Sequence, residues 1–264
     1  MGKHALNTAV AVLLLAAAVA ILVAQDSPPV AFEVAAIKRS ANLDAGGSLG
    51  LLPGGRFRAV NFDARTFVAV AFRTKPPRTL APSQIVGAPE WMSTERYDIN
   101  AKISPELAAT MDKNPLLMPA LLRSLLEDRF KLKTHMEVRE MPVFALVPTR
   151  RESTLGPRIH PSTIDCGKNP SKCRIVGGTG RFAAPSITLD TLATMLTKPA
   201  GRLVLDRTGL TGLFDVDLEW AEEAGSDKPS IFAALQEQLG LKLESVRDLV
   251  DVVVIDHVER PTED

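Results

Sequence analysis

One pattern occurs twice in this chain, and the duplication limits the possible folds more than any other feature of the sequence. The first occurrence lies in residues 55–147 and the second in residues 180–258. The matched positions are Gly55-Arg56-Phe57 with Gly180-Arg181-Phe182, Asp63 with Thr188, Phe67 with Leu192, and Tyr97-Asp98-Ile99 with Phe214-Asp215-Val216. A sequence that repeats in this way indicates one supersecondary unit used twice.

Each occurrence combines strand-like alternation of apolar and polar residues with two helical segments. The helices are predicted over Ala64–Phe72 and Leu116–Asp128 in the first, and over Leu189–Thr197 and Ile231–Leu239 in the second. Two short strands are predicted to close each unit, namely Phe130–Glu137 with Met141–Val147, and Leu241–Glu244 with Val250–Val258. Both units therefore have the order βαββαββ, which predicts an α+β protein of two tandem two-layer modules.

Polar residues stand where three of these helices are expected to begin. Asp63, Thr188 and Ser230 are predicted N-caps, because their side-chain oxygens can accept a free backbone N–H of the first turn. Gly240 is placed to end the last helix.

The predicted domain boundaries follow changes in composition. Residues 1–24 form a targeting segment, residues 30–147 the first unit with a leading strand, and residues 180–258 the second unit. Residues 148–179 are rich in Pro and Gly, which predicts a linker between the units. Residues 259–264 form a polar tail.

The N-terminal segment has the composition of an export signal. Lys3 and His4 precede an apolar run from Ala9 to Ala24, and Gln25 begins a polar exit. We expect export to the periplasm or the outside, with the signal either removed or kept as an uncleaved anchor in the inner membrane. Contact with the membrane is expected only through this segment, and only if it is not cleaved.

The charge balance argues against nucleic acid as a partner. Lys plus Arg and Asp plus Glu both total 31, so the formal net charge is zero. Nucleic-acid binding needs a positive field, which this composition lacks. Aromatic residues make up 5% of the chain, too few to expect stacking surfaces for bases or sugars.

The two cysteines, Cys166 and Cys173, lie close together in the predicted linker. In an oxidising compartment two near neighbours most simply pair, so a disulfide is predicted. Free thiols and a metal site are the competing interpretations, but no further metal ligands flank these residues at a suitable spacing.

No set of residues has the spacing of a known catalytic or metal-binding motif. His135, His160 and His257 fall on or near strands or in the linker, and no pair of them has ligand spacing. Asp206 lies in a segment that hints at an aspartic-protease loop, but the first unit offers Gly87 and no Asp there, so a symmetric dyad cannot form. We expect Asp206 to bond its own turn instead. The sequence predicts no catalytic residue, metal or cofactor.

Trp91 and Trp220 lie beside the middle strands of their units. Such residues either line a groove and contact a partner or close the end of a small core. Both interpretations stay open from the sequence, and the core is favoured.

Several segments together resemble a known family. They are Phe32–Lys38, Gln84–Trp91, Asp128–Lys133, Asp206–Gly212 and Ala234–Leu241. The combination is similar to the soil-associated DUF3738 family, a set of exported proteins of acidobacteria and their relatives, for which no activity is established. Related regions fused to membrane peptidases imply a sensory or interaction role, but this chain lacks a peptidase motif. The element order also resembles the short N-terminal modules of secretins and TonB-dependent receptors, which bind other envelope proteins.

The export signal, the duplication and the lack of a catalytic set favour a non-enzymatic envelope protein that binds or scaffolds a protein or peptide. The alternatives are a hydrolase with a site between the two units and a small-ligand sensor. An exposed edge or groove between the units would favour binding, and a pocket in which histidine and carboxylate side chains meet would favour the hydrolase.

Overall fold

A computed structural model describes most of the chain after the N-terminal segment. The described residues are 30–41, 46–73, 78–111, 114, 116–150, 155–178, 180–222 and 227–264. The predicted signal or anchor, residues 1–24, lies outside them.

The described residues form twelve strands and six α-helices. The strands are β1 Val34–Arg39, β2 Ser48–Leu52, β3 Arg56–Asp63, β4 Ile85–Val86, β5 Arg96–Lys102, β6 Lys133–Pro148, β7 Ile159–Pro161, β8 Val176–Gly178, β9 Arg181–Ile187, β10 Val204–Asp206, β11 Phe214–Glu219 and β12 Leu241–His257. The helices are α1 Ala64–Ala71, α2 Trp91–Thr94, α3 Pro105–Thr110, α4 Leu117–Arg129, α5 Leu189–Leu196 and α6 Ile231–Ala234, which continues as a π-helical turn over Leu235–Leu239. The mixture of helices and sheets is the predicted α+β class.

Two of the three sheets have the same plan. One has the strand order β1-β5-β3-β2 and the other has the order β7-β11-β9-β8, and all pairs in both are antiparallel. We call β1 to β6 with their helices the first half and β7 to β12 with theirs the second half. β1, β2, β3 and β5 of the first half therefore have β7, β8, β9 and β11 as counterparts.

The third sheet takes strands from both halves. Its order is β10-β6-β12-β4, with β6 and β12 antiparallel at the centre. The short edge strand β4 of the first half pairs with β12 of the second, and β10 of the second half pairs with β6 of the first. The halves therefore exchange strands across a shared central sheet, which differs from the arrangement expected of two self-contained tandem modules.

Each half closes with one long strand where the sequence predicts two short ones. β6 covers 16 residues and β12 covers 17, and they pair along almost their whole length. Glu140 and Asp248 lie between the predicted short strands and keep extended pairing in the structure. Residues 133–142 of β6 are all exposed or half-buried, so no buried face imposes apolar alternation on this part of the strand.

The predicted N-caps are confirmed. The Asp63 carboxylate accepts the Thr66 N–H at 2.7 Å, and the Thr188 hydroxyl accepts the Thr191 N–H at 3.2 Å. Ser230 caps α6 through the Ala233 N–H. Gly240 follows the π-helical turn with a φ of 67°, as predicted for the residue that ends this helix.

The segment predicted as a linker contributes two strands of the second half. β7 and β8 lie within residues 148–179 and form both edges of the second-half sheet. A second difference is α3, which is not among the helices predicted from the sequence. Ser104 accepts the Leu107 N–H and Pro105 opens the first turn, so the start signal for this helix was present in the sequence.

Helices pack on the sheets to form two main apolar cores, one in each half. The first core surrounds Phe57, Phe67 and Tyr97, and the second surrounds Leu192, Leu218 and Leu235. A smaller cluster lies where the halves meet. Its members are Ala81, Val143, Leu203, Leu205 and Val250.

Candidate functional site

A groove of about 680 Å³ runs between the two halves. We call it the inter-half groove. The first half contributes residues 78–83 and the β6 residues Met141 and Pro142, and the second half contributes residues from the end of α5 to Leu203. Leu203 and Ala81 belong to the cluster between the halves, with Met141 packed against it, so the floor of the groove is apolar and continuous with the protein interior.

Three cationic side chains line this groove, and no acidic side chain does among the lining residues. Arg78 pairs with Asp190 of α5 at 3.3 Å, an ion pair that joins the halves. Arg202 donates to the Ser245 hydroxyl at 2.9 Å and its guanidinium lies 4.6 Å from the centre of the Phe144 ring. The Lys198 side chain has no ion pair or hydrogen bond with the described residues. The groove can therefore receive an anionic group beside apolar surface.

Sequence reasoning missed this groove, although a signal for it exists. In each half the cations come within seven residues of the end of the first helix: Arg78 follows Pro76-Pro77 in the sequence, and Lys198 and Arg202 lie on either side of Pro199 and Gly201. The sequence shows that these turns are polar and irregular. It does not show that the two turns face each other, because that follows from the pairing of β6 with β12.

His135 lies on the exposed part of β6 between two carboxylates. Its Nδ1 is 2.9 Å from the Asp256 carboxylate and its Nε2 is 2.9 Å from Glu137 Oε1. Hydrogen bonds to Asp256 and then to Glu137 raise the pKa of His135 above its ordinary value. The side chain is about half exposed and lines none of the described pockets. The group is an ion-pair cluster on the sheet surface.

His257 lies on the strand beside His135, next to Asp256, but it has a different carboxylate partner, and His160 lies in the second-half sheet. His257 Nε2 is 2.8 Å from Glu259 at the end of β12. His160 Nε2 is 3.4 Å from Asp215 Oδ2 in a shallow depression of the second-half sheet that Asp217 also lines. No serine, threonine or cysteine lines this depression. A histidine and carboxylates meet there without a nucleophilic side chain beside them.

Asp206 and the cysteines have local structural roles. The Asp206 carboxylate accepts the Thr208 N–H at 2.9 Å and the Thr208 hydroxyl at 2.7 Å, which confirms the predicted turn. Cys166 and Cys173 form the predicted disulfide, with an S–S distance of 2.00 Å.

Trp91 and Trp220 pack against different cores. Trp91 begins α2, is partly buried against the first core, and has the Arg260 guanidinium 5.2 Å from its ring centre. Trp220 is buried in the second core and also lines a pocket in the second half. The structure does not bring these two residues together into one surface.

The edge strand β2 is a further exposed apolar surface. Leu49 and Leu51 pair with Ala59 and Phe57 of β3, both of which are buried, so the apolar side of the sheet continues beyond its last strand. The side chains of Leu49 and Leu51 are 37% and 40% exposed, respectively. An extended segment that paired with β2 would cover them.

Within the described residues, no three His, Cys, Asp or Glu side chains are grouped in a way that could hold a metal ion. None of the described helices has the length and hydropathy to cross a bilayer.

A family model described as a protein of unknown function (DUF3738) matches residues 65–258. The match runs from α1 to the end of β12 and so includes most of both halves. It confirms the resemblance seen in the sequence. No curated protein and no solved structure matches the chain.

Proposed function

The chain belongs to the DUF3738 family, and from this premise we propose that it is a non-enzymatic exported protein that binds or scaffolds a protein or peptide of the cell envelope. The inter-half groove is the observation that carries this proposal. It joins an apolar floor to cationic side chains, which suits an extended or turned peptide with an acidic group next to an apolar side chain.

The placement of the candidate catalytic residues supports binding over hydrolysis. The alternative function, a hydrolase with a site between the halves, requires acid–base or nucleophilic residues in that groove. No histidine, carboxylate or cysteine is among its lining residues, so its hydroxyl groups have no imidazole or carboxylate base in the lining. Thr197, for example, donates to the Ala193 carbonyl and accepts the Val204 N–H.

A small-ligand sensor is the other alternative. Its expected signature is a closed apolar pocket of small-molecule size. The inter-half groove is within that size range but has an open, cationic rim. This shape favours a polymer that enters from the side over a ligand that is enclosed.

The proposed location and architecture rest on the sequence. We infer that residues 1–24 direct export and are either removed or kept as an anchor, so that the folded part faces the periplasm or the outside. We also infer that the chain arose from two copies of one unit. That unit resembles the envelope-binding modules of secretins and TonB-dependent receptors in its element order, which supports a protein or peptide as the partner.

Crosslinking of the full chain in envelope extracts of its source organism, followed by pull-down, tests the proposal. Ser83 is exposed and lines the groove, and Ser83→Glu places a negative charge there. Ser93→Glu is the matched control, because Ser93 is exposed on α2 and does not line the groove. We expect one set of crosslinked partners with the native chain and the control, reduced at least several-fold with Ser83→Glu. Repeated recovery of the bare monomer from the native chain would contradict the proposed function.

A further inference from the structure

The N-terminal part of β6 lies at an edge of the central sheet. β10 pairs with β6 only from Phe144 to Leu146, and residues 133–143 have β12 as their single partner strand among the described residues. One side of this stretch therefore carries backbone N–H and C=O groups that have no backbone partner in the described part of the chain. We call residues 133–143 the β6 free edge.

Exposed apolar side chains lie at the β6 free edge on one face of the sheet. Met136 and Val138 are two residues apart in the strand and so share a face, and Leu249 of β12 opposes Glu140 on that same face. The exposed fractions are 53% for Met136, 62% for Val138 and 67% for Leu249. Apolar side chains beside free backbone groups favour the addition of another strand to the sheet.

The opposite face of the β6 free edge carries a charge of each sign, two residues apart. Arg139 Nε donates to Glu137 Oε2 at 2.7 Å, and both side chains are about two-fifths exposed. The two terminal nitrogens of Arg139 donate no hydrogen bond to the described residues. Because a guanidinium has five N–H donors, Arg139 can keep its bond to Glu137 and also bind a second carboxylate.

The β6 free edge is complementary to a second copy of itself. Side chains that oppose each other in a sheet share a face, so a two-fold antiparallel pairing of identical strands is centred on one residue, which opposes itself. Val138 is the midpoint of residues 133–143, and a pairing centred there uses the whole edge. In that register Glu137 of each copy opposes Arg139 of the other.

The neighbouring registers bring like charges together. A pairing centred on Glu137, Arg139 or Glu140 places a charged residue opposite its own copy, which destabilises a sheet. A pairing centred on Met136 places Lys133 opposite Arg139, and both are cations. The charge pattern therefore selects the same register as the length of the free edge does.

We propose that the β6 free edge pairs with the β6 free edge of a second copy of this chain, so that two chains form a two-fold symmetric dimer with a continuous central sheet. Val138 of each copy contacts Val138 of the other on one face, with Met136 beside them. Glu137 and Arg139 form two ion pairs between the chains on the other face. This inference goes beyond the proposed function and does not depend on it.

Reversal of single charges tests the register. Glu137→Arg and Arg139→Glu each place like charges opposite one another in a homodimer, so each variant alone is expected to dimerise about ten-fold more weakly than the native chain. A mixture of the two variants restores both opposite-charge pairs, because one chain then has cations at both positions and the other has anions at both. Analytical ultracentrifugation of the full chain over a range of concentrations measures the association, and we expect the mixture to form a heterodimer.

Val138→Cys tests the centre of the interface. Opposing residues have Cβ atoms about 5 Å apart, close to the distance that a disulfide spans. Met136→Cys is the matched control, since its two copies would lie about 14 Å apart along the paired strands. Both residues are exposed, so both variants are expected to fold, and the two native cysteines are already paired with each other. After mild oxidation, non-reducing electrophoresis is expected to show at least ten-fold more covalent dimer with Val138→Cys.

Three results would overturn the inference: a native chain that sediments as a monomer at every concentration, equal crosslinking of the two cysteine variants, or a mixture of charge variants that fails to associate. If the native chain is monomeric and Arg139→Glu loses the envelope partners that the native chain captures, the edge accepts a strand of another protein. The dimer is then wrong and the proposed function stands. A dimer that captures no envelope partner supports this inference and contradicts the proposed function, because a crosslink between two copies does not count as a partner.

Discussion

Two matching residues hold a left-handed backbone conformation that side chains other than glycine rarely adopt. Asn61 has a φ of 60° in β3 and Ser186 has a φ of 55° in β9, each where its strand bulges. Asp98 accepts the Asn61 N–H at 3.0 Å, and Asp215 accepts the Ser186 N–H at 2.8 Å. The aspartates that match in the sequence thus share a structural role, which is to satisfy the backbone at a bulge.

Lys131 is a third residue with a left-handed backbone, and its position predicts a stabilising substitution. It follows the end of α4 with a φ of 51°, and Gly240, with a φ of 67°, is the residue that follows the last helix of the second half. Because a left-handed conformation costs a side-chain-bearing residue about 1–2 kcal/mol, Lys131→Gly is expected to raise the free energy of unfolding by roughly 0.5–1 kcal/mol. Urea denaturation measures this change. Lys133→Gly, at the start of β6, is expected to lower stability, and the same sign for both substitutions would contradict the argument.

The raised pKa of His135 predicts that the stability of the chain depends on pH. Its pKa in the folded chain is raised, first by Asp256 and then by Glu137. The stabilisation is therefore fully present below the ordinary histidine pKa of about 6.5 and is lost as the pH rises through the higher folded value. We expect the stability difference between the native chain and His135→Gln to shrink over this rise in pH, as followed by urea denaturation. In NMR titration, Asp256→Asn is expected to lower the pKa of His135 more than Glu137→Gln does; the reverse order would show that Glu137 is the main cause.

At the scale of elements, α3 shows how packing can hold a short helix in place. Its Leu107 packs, with Met111, against Ile103, Leu117 and Leu121 of the first half. A helix of six residues has little stability of its own, so packing of Leu107 and Met111 must hold it in place.

Leu107→Ala tests the role of α3 in the core. Leu107 is half-buried against Ile103, Leu117 and Leu121, so its truncation is expected to lower the free energy of unfolding by about 1–2 kcal/mol, less than for a fully buried leucine. Ala109→Ser, at an exposed position of the same helix, is the control and is expected to change stability by under about 0.5 kcal/mol. Chemical denaturation gives both values, and equal effects would show that α3 does not contribute to the core.

At the scale of the whole molecule, the central sheet makes the halves interdependent. β4 has its only sheet partner among the described residues in β12, and β10 likewise pairs with β6. Arg78 and Asp190 add an ion pair across the same boundary. One cooperative unit is therefore expected, although the chain contains two main cores.

Separation of the halves tests this interdependence. Residues 30–149 and 150–264 produced as separate fragments are each expected to lack a cooperative thermal transition, because each loses the strand that covers its long central strand. Mixing or co-expression is expected to restore a one-to-one complex with such a transition. Circular dichroism and size-exclusion chromatography measure both outcomes. A fragment that unfolds cooperatively alone would show that the halves are independent domains.

Much of the local structure of this protein can be predicted from its amino-acid sequence. The bounds of the four predicted helices, the caps at Asp63, Thr188 and Ser230, the turn at Asp206 and the disulfide all follow from interactions between residues near each other in the chain. The family resemblance likewise rests on short segments whose residues are near each other in the chain. The long strands β6 and β12 were each predicted as two short ones, because their middle residues lack the apolar alternation that marks a strand in the sequence.

The pairing of the strands, and the groove that it creates, could not be predicted from the sequence. A strand offers the same backbone donors and acceptors to any neighbouring strand, so its sequence does not identify the strand with which it pairs. The exchange of β4 and β10 and the inter-half groove both depend on that choice. These features form because segments that are distant in the sequence bury their apolar faces against each other. The free energy gained in this way depends on the whole chain, so no single segment predicts it.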